Sequence, residues 1–474
     1  MTTTAEPLPE TPTAAQGTKA ADVLVVFGIT GDLAKVMTFR SLYLLEKRGL
    51  LTCPVVGVAV NDWTVDQLVD RARESIVGTG EQLDEHVFQS FAHRLSYVAG
   101  DFGDAETYKR VGQAIEGASA PVFYLEIPPF LFGRVVKGLT EAGLTKTARV
   151  VVEKPFGHDL ESARALAAEL HTYIAESQLF RIDHYLGKMG IEEIVHVRFA
   201  NSMLEPIWSR DRLSSVQITM AEDFGVEDRG HFYDPVGALR DVVVNHLMQV
   251  VAMCAMEAPA RGDPQTIKDS QVALFRAVKE ADPEHYVRGQ YDGYRSIDGV
   301  APDSATETYA AMRLEIENWR WSGVPFFIRT GKRLPVTQTE LRLVFKHPPK
   351  LGFKAFEEVE PNQLVVRLDP TTGIRLELEA HRASGPGTIE LDMEFSQEGG
   401  EGPTPYEVLL HAALVGDSTR FTRQDGVEEA WRVMQPLLDS PPPVHSYTPG
   451  SWGPAEADGL IAGHGRWRKP WVAS

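Results

Sequence analysis

Short apolar runs alternate with helical patterns along the first third of the chain. The first run, DVLVVFG at 22–28, is almost uninterrupted, which is typical of a strand buried on both faces of a parallel sheet. A helical pattern follows from Leu33 to about Arg48, and Thr64 and Asp104 are typical N-caps for later helices. Further strand patterns lie at 54–60, 95–100, 121–127 and 148–155. We therefore predict a βαβ series forming a Rossmann-like, doubly wound parallel sheet, an α/β fold.

The pattern changes after about Lys188. One long helical pattern spans 235–256, and most of the remaining apolar positions alternate with a period of two. Several such strands follow one another without a helix between them, so we predict an α+β half with a large, mainly antiparallel sheet. A glycine-containing turn predicts a hairpin at 365–379. The strand patterns lie at 215–223, 308–319, 325–331, 340–347, 362–369, 374–381 and 388–395.

These patterns divide the chain into three parts. Residues 1–20 are rich in Thr, Ala and Pro and lack an apolar core, so we expect a disordered tail and no signal or transit peptide. Residues 21–185 form the predicted dinucleotide-binding domain. Residues 186–474 form the predicted domain for substrate binding and oligomerisation, with helical patterns near 406–416 and 426–438 towards the end of the chain.

Composition narrows the classes of partner. The 474 residues include 47 basic and 66 acidic side chains, a formal net charge of −19, which argues against nucleic acid or an anionic membrane as partner. Two cysteines in unrelated contexts give neither a disulfide framework nor a zinc spacing, which fits a reducing cytoplasm. No apolar run reaches the length of a membrane span. An anionic substrate would need a local basic pocket, so individual Lys and Arg residues matter.

A glycine pair marks the predicted nucleotide end. Gly28 and Gly31 stand between the first strand and its helix, where glycines let the backbone approach a pyrophosphate at the helix N-terminus. The spacing is G-x-x-G rather than the commoner G-x-G-x-x-G. An isolated pair of this kind would equally suit a tight turn that binds nothing. Its position after the first strand of a βαβ series favours a dinucleotide.

The tip of the second strand should meet the adenosine ribose. It reads Val60, Asn61, Asp62, and no basic residue follows until Arg71. A 2′-phosphate needs Arg or Lys there, so the tip alone favours NAD over NADP. The alternative is that Asp62 caps the next helix or faces water. Two other strand ends face the same crevice: Asp101 is a candidate wall for the adenine or a simple turn residue, and Pro128 begins a rigid turn near the nicotinamide side.

The segment RIDHYLGK at 181–188 carries the groups that sugar oxidation requires. Removing a hydroxyl proton as hydride leaves carbon suits a histidine beside an orienting carboxylate, and a phosphate needs Lys or protonated His donors. Lys154 ends a strand at the ligand-binding edge of the sheet. Asp241 and His246 lie five residues apart on the long helix, which is about 140° of α-helical rotation, so they need not face the same way. A lone His in an apolar helix is more often packed core, and spacing leaves open which histidine is the base.

Taken in order, five segments resemble the glucose-6-phosphate dehydrogenase family. They are GITGDLAK, EKPFG, RIDHYLGK, RDVVVNHLMQ and VPFFIRTGKRLP, and the likeness extends from about Asp22 to the last helices. The resemblance implies oxidation of glucose 6-phosphate at C1, the first step of the oxidative pentose phosphate pathway. It implies a nicotinamide dinucleotide as cofactor, NADP being the family's usual one, and no metal. It also implies a homodimer or homotetramer built through the large sheet.

The resemblance also implies roles for individual residues. His246 is the implied base, with Asp183 supporting it. The implied phosphate ligands are His184, Tyr185 and Lys188, and the implied sugar-site residues are Lys154, Glu222, Asp241 and Lys332. The implied cofactor-binding set is Gly28, Thr30, Gly31, Asp32, Leu33, Val60, Asp101, Pro128 and Lys154.

Two positions depart from the family pattern. Val60 stands where an Arg usually holds the 2′-phosphate, so NAD use becomes plausible. Thr337 stands where a second basic residue usually follows Lys332, a loss for which Arg333 is a candidate compensation. Two other hypotheses remain. One is a two-domain sugar oxidoreductase with a different substrate, which would not need the phosphate-binding motif. The other is a nucleotide-sensing homologue without turnover, which predicts a broken base or phosphate site.

Overall fold

The computed structural model describes residues 19–349, 359–383, 385–394 and 402–472. The predicted tail, 1–20, therefore lies almost wholly outside the described residues. No helix in the described ranges is both long enough and apolar enough to cross a membrane.

The predicted parallel sheet is present and has six strands. Its spatial order is β3-β2-β1-β4-β5-β6, with every neighbouring pair parallel. Five strands coincide with predicted ones, whereas the three-residue β6 was not predicted. The strands are β1 Val23–Phe27, β2 Val55–Ala59, β3 Leu95–Ala99, β4 Pro121–Leu125, β5 Arg149–Val152 and β6 Leu179–Arg181. The reversal of strand order beside β1 opens the crevice in which such sheets bind ligands.

Helices cover both faces of this sheet. Both predicted N-caps are confirmed: the Thr64 side chain accepts from the Gln67 amide in a capping box, and the Asp104 side chain accepts from the Glu106 amide. The helix after β1 begins with a π-helical turn, Ala34–Thr38. The α-helices are α1 Phe39–Lys47, α2 Val65–Gly78, α3 Glu85–Arg94, α4 Ala105–Ala114, α5 Phe132–Glu141 and α6 Leu160–His171.

The second sheet has nine strands and is mainly antiparallel, as predicted. Its order is β14-β13-β12-β11-β7-β10-β9-β8-β15, and only the β7–β10 and β8–β15 pairs are parallel. Two strands, β8 and β15, were not predicted. The strands are β7 Leu213–Ala221, β8 Tyr286–Tyr291, β9 Tyr309–Leu314, β10 Phe326–Gly331, β11 Gln338–Phe345, β12 Gln363–Asp369, β13 Gly373–Arg382, β14 Gly385–Glu394 and β15 Val444–Tyr447.

The remaining helices pack mostly against the second sheet. The long predicted helix is divided into a π-helical segment, Leu239–Leu247, and the α-helix α9. The α-helices are α7 Met189–Phe199, α8 Gly230–Tyr233, α9 Met248–Ala255, α10 Pro264–Ala277, α11 Pro405–Val415, α12 Gln424–Asp439 and α13 Ala457–Leu460. Short 3-10 helices lie at Pro129–Leu131, Glu176–Gln178, His184–Gly187, Glu205–Ile207, Pro283–His285 and Tyr294–Ser296.

The two halves meet along the carboxyl ends of β5 and β6. Tyr185 and Leu186, just beyond β6, belong to the same apolar core as the π-helical segment and the inner face of the second sheet. Helix α11 returns to the first half, where Leu409 and Leu410 join the core beneath α1. Side chains that follow β5 and β6 therefore face the π-helical segment directly.

Candidate active site

The π-helical winding of Leu239–Leu247 brings Asp241 and His246 to the same place. The expectation that they need not face the same way assumed α-helical rotation. A π-helix bonds residue i to residue i+5, so residues five apart lie over each other. In the structure both contact Lys154 Nζ, which donates to Asp241 Oδ1 at 3.0 Å and lies 3.1 Å from His246 Nε2. Lys154 thereby joins the end of β5 to this helix.

Asp183 is the direct partner of His246. Its Oδ1 lies 2.6 Å from His246 Nδ1 and also accepts from the Tyr185 amide at 3.0 Å, as the N-cap of the 3-10 turn His184–Gly187. Asp183 and His246 are each only 3% exposed. Burial raises the pKa of Asp183, but the neighbouring imidazole and the amide lower it further, to about 2. The carboxyl group is therefore ionised throughout the range in which proteins function.

The ionised carboxylate fixes the state of the His246 ring. A carboxylate only accepts hydrogen bonds, so Nδ1 carries the proton and Nε2 presents its lone pair to Lys154. Burial lowers the pKa of His246; Asp183 opposes this, Lys154 reinforces it, and the pKa ends below its ordinary value. His246 is thus a neutral base with Nε2 turned towards Lys154.

The phosphate ligands implied by RIDHYLGK cluster beside this pair. The His184 and Tyr185 rings lie 4.4 Å and 4.6 Å from the His246 ring, centroid to centroid. Lys188 Nζ lies 4.3 Å from the centre of the Tyr185 ring and 2.9 Å from Asp369 Oδ2. Burial and the nearby His246 hold the pKa of His184 well below its ordinary value, which favours the neutral ring. The three side chains form one polar wall at the end of β6.

Glu222 and Lys332 form a second ion pair near Asp241 and Tyr185. Lys332 Nζ donates to Glu222 Oε2 at 2.6 Å. Thr337, the position that departs from the family pattern, bonds Asp223 through its side chain. Arg333, the candidate compensation, donates instead to Glu227 at 2.9 Å. The structure therefore gives Arg333 an acidic partner of its own and does not support a compensating role.

The glycine turn after β1 is built as its sequence predicts. Gly28 has φ +85°, and a Cβ added there would lie 2.2 Å from the Glu126 carbonyl oxygen, so only glycine fits. Gly31 and Asp32 are exposed at the start of the helix, and Leu33 is half-buried. The Thr30 hydroxyl donates to Asn61 Oδ1 at 2.8 Å, which ties this turn to the tip of β2.

The other nucleotide positions lie at the same edge of the sheet. Val60 is 61% exposed. Asp62 is exposed to solvent, and it is not the cap of the next helix, because Thr64 caps α2. Asp101 Oδ1 accepts from the Gly103 amide at 2.6 Å, so it does shape a turn. Pro128 precedes the 3-10 turn that carries Phe130, whose side chain is 82% exposed.

No local sequence pattern marks two further residues that contact this polar wall. Thr339 on β11 bonds the Tyr185 hydroxyl at 3.1 Å, and Asp369 at the end of β12 pairs with Lys188. Both lie more than 150 residues from their partners and belong to ordinary strand patterns. Only the pairing of β11 with β12 brings them to the site.

Asp183, His184 and His246 also have the residue types of a metal site, with ligand atoms within 4.8 Å of one another. Two features favour proton transfer over metal binding. Asp183 Oδ1 and His246 Nδ1 are already hydrogen-bonded to each other. The remaining nitrogen, His246 Nε2, faces the Lys154 ammonium, which would repel a cation.

Two family models match nearly the whole described fold. The model for "Glucose-6-phosphate dehydrogenase, NAD binding domain" matches residues 25–193, and that for "Glucose-6-phosphate dehydrogenase, C-terminal domain" matches 195–469. The chain belongs to the glucose-6-phosphate dehydrogenase family. The resemblance seen in the five motifs is therefore confirmed.

Individual members of the family resemble the chain along its length. Glucose-6-phosphate 1-dehydrogenase 1 of Mycobacterium tuberculosis is 51% identical over 457 residues, covering 96% of this chain and 98% of that protein. The crystal structure of glucose-6-phosphate 1-dehydrogenase from Mycobacterium avium has a TM-score of 0.92 at 51% identity, covering 96% of this chain and 100% of that one. A glucose-6-phosphate dehydrogenase in complex with glucose-6-phosphate has a TM-score of 0.89 at 33% identity, covering 95% and 100%. These likenesses confirm the fold class.

The contact between Lys154 and His246 predicts a pH effect. Because the lysine charge lowers the pKa of His246, Lys154→Met should raise it, and a base is lost as pH falls through its pKa. The acidic limb of kcat/KM should therefore move to higher pH, from a midpoint below the ordinary histidine pKa of about 6.5 in the unaltered enzyme. Initial rates from pH 5 to 9 measure the limb.

The matched control is Lys279→Met. Lys279 forms ion pairs with Glu315 and Glu317 at an exposed site, so its removal should leave the limb in place. An unmoved limb in Lys154→Met, or a limb moved to lower pH, would contradict the electrostatic role given to Lys154.

Proposed function

We propose that the chain oxidises D-glucose 6-phosphate at C1 to 6-phospho-D-glucono-1,5-lactone, passing hydride to a nicotinamide dinucleotide. This is the first step of the oxidative pentose phosphate pathway. The observation that carries the proposal is the Asp183–His246 hydrogen bond, with Lys154 against the free ring nitrogen. A neutral base with an ionised partner stands at the ligand edge of a nucleotide-binding sheet, as C1 oxidation requires. Family membership supports the substrate.

His246 Nε2 takes the proton of the C1 hydroxyl in the proposed mechanism. Asp183 keeps the proton on Nδ1 and stabilises the imidazolium as it forms, so the ring can accept at Nε2. The bound nicotinamide supplies the hydride acceptor for the C1 hydrogen. As the O–H and C–H bonds break, the C1–O bond becomes the lactone carbonyl. Lys154 must turn from Nε2 when the hydroxyl binds, and Asp241 Oδ1 at 3.0 Å keeps it nearby.

We assign the phosphate and the sugar hydroxyls to different sets of side chains around the base. We assign the 6-phosphate to His184, Tyr185 and Lys188, where Lys188 would exchange its bond to Asp369 for the more highly charged phosphate. Glu222 and Asp241 are assigned to sugar hydroxyls. Glu222 is paired with Lys332, and Asp241 is paired with Lys154. These two lysines would bind sugar oxygens as well.

We assign the dinucleotide to the crevice beside β1. The glycine turn, with Thr30, Asp32 and Leu33, receives the pyrophosphate at the helix N-terminus. Asp101 and Pro128 border the adenine and nicotinamide ends. Two side chains lie at the expected ribose position: the exposed Val60, and Asn61, whose amide oxygen accepts from Thr30. Neither is basic, so they suit a free 2′-hydroxyl better than a 2′-phosphate. We infer that the enzyme accepts NAD as well as NADP.

The domain boundary near residue 185 and a cytoplasmic location remain part of this proposal. Both cysteines are free and buried, in keeping with a reducing compartment.

We also propose a homo-oligomer formed through the nine-stranded sheet. Its edge strand β14 leaves Leu391 and Met393 about half exposed, and they lie two residues apart on one face. A second copy of the sheet would cover them.

The base assignment predicts the effect of His246→Ala. The initial rate of cofactor reduction with glucose 6-phosphate should fall by roughly a hundredfold to ten-thousandfold, the usual contribution of a general base. His196→Ala is the control, because the His196 side chain is exposed on α7 and bonds the Glu192 carbonyl of its own helix. Turnover that survives in His246→Ala would overturn the assignment. An unaltered chain that reduces neither NAD nor NADP would overturn the function and favour the sensing homologue.

The ribose tip predicts the effect of Val60→Arg. A guanidinium there can pair with a 2′-phosphate, so the ratio of kcat/KM for NADP to that for NAD should rise by roughly fivefold, as for a good exposed ion pair. Val77→Arg on α2 is the control, since Val77 is exposed to a similar degree, at 54%. If Val60→Arg leaves the ratio unchanged, a residue other than Val60 determines the preference between NADP and NAD.

A further inference from the structure

A small cavity lies beside Asp183. Its volume is about 20 Å³ for the centres of water molecules, which suits a single water. The lining residues that matter here are Lys154, Asp183, Asn245, Gln249, Thr422 and Trp431. The cavity thus touches the carboxylate that orients the base, and Lys154 also lies on its wall.

Two polar atoms at this cavity are buried and unpaired. Asp183 uses only Oδ1 for His246 and the Tyr185 amide, and its Oδ2 has no hydrogen-bond partner in the described ranges. Thr422 Oγ1 is likewise buried without a partner among the described residues. A buried oxygen of an ionised carboxylate is costly when it accepts no hydrogen bond. Both atoms therefore require a bond that these side chains do not make directly to each other.

Three other donors around the cavity are already engaged. Lys154 Nζ donates to Asp241, and the Asn245 amide donates to the carbonyls of Arg240 and Asp241. The Trp431 indole donates to the Phe156 carbonyl at 3.1 Å. The Thr422 hydroxyl is a donor that remains available, and the Gln249 amide on the wall can supply a further polar contact.

The backbone holds Thr422 in register with Asp183. Thr422 forms an isolated antiparallel bridge with Arg181, the last residue of β6, and its amide donates to the Arg181 carbonyl at 3.2 Å. Asp183 follows Arg181 by two residues. Thr422 is therefore fixed to the strand end that carries the carboxylate, although it lies more than 230 residues away in sequence.

We propose that the cavity holds one ordered water, which accepts a hydrogen bond from the Thr422 hydroxyl and donates one to Asp183 Oδ2. Thr422 is then a positioning residue for the Asp183–His246 pair. The inference rests on the proposed role of His246 as base. The terminal torsion of an Asp side chain has broad energy wells, so contacts at both oxygens set the plane of the carboxylate. With Oδ2 held by the water, Oδ1 stays directed at Nδ1.

The experiment compares three variants of the full-length enzyme. Thr422→Val keeps the shape and removes the hydroxyl, and Thr422→Ser restores it. Ser215→Ala is the matched control, because Ser215 is fully buried with an Oγ that lacks a partner in the described ranges, but it lies at the start of β7, the opposite end of that strand from Glu222. We expect Thr422→Val to lower kcat roughly tenfold with KM for glucose 6-phosphate nearly unchanged. Thr422→Ser and Ser215→Ala should stay within about twofold of the unaltered enzyme.

A high-resolution crystal structure of the unaltered enzyme supplies the second readout. Density for a water within hydrogen-bond distance of both Thr422 Oγ1 and Asp183 Oδ2 is expected. A dry cavity, or Thr422→Ser as slow as Thr422→Val, would overturn the inference. If Thr422→Val does not fold, the wild-type density and the kinetics of Thr422→Ser decide. Activity retained in His246→Ala would instead remove the base assignment, an outcome separate from the presence of the water.

Discussion

The hydrogen bond between Asp183 and His246 joins the two halves of the molecule at the proposed catalytic site. Asp183 follows the last strand of the parallel sheet, and His246 lies on a helix packed against the second sheet. Neither group is suited to its place alone. A buried carboxylate without a donor and a buried imidazole without an orienting partner would both be costly and badly directed. Paired, they give an ionised acceptor and a neutral ring of fixed tautomer.

Lys154 balances this pair electrostatically. Its charge near Nε2 opposes that of Asp183, so the ring stays neutral even though an anion lies against its other nitrogen. The same ammonium holds Asp241, which reaches it only because the helix is wound as a π-helix there. A local departure from α-helical geometry thus places two functional side chains five residues apart against one lysine. This agrees with the frequent occurrence of π-helical turns at functional sites.

The sequence predicted the architecture more completely than the site. Apolar runs identified five of the six parallel strands. Four of these strands are fully buried, and strands buried on both faces have a distinctive composition. The strand β6 has three residues, too few to show a period, and its neighbour RIDHYLGK was visible only as a polar motif. Periodicity assigned 235–256 to a helix but could not reveal its π winding, which depends on packing. Thr339, Asp369 and Thr422 reach the site through strand pairing or a backbone bridge, so no local pattern marks them.

The most direct test of this account is the protonation state of the His246 ring in the folded enzyme. Nitrogen-15 NMR of histidine-labelled protein, with the His246 signal assigned by its loss in His246→Ala, distinguishes the two ring nitrogens. The account predicts that at pH 7 Nδ1 carries the proton, Nε2 is unprotonated, and the ring protonates only below its ordinary pKa near 6.5. A proton on Nε2, or a doubly protonated ring at pH 7, would contradict it, since His246 could then not accept the C1 hydroxyl proton at Nε2.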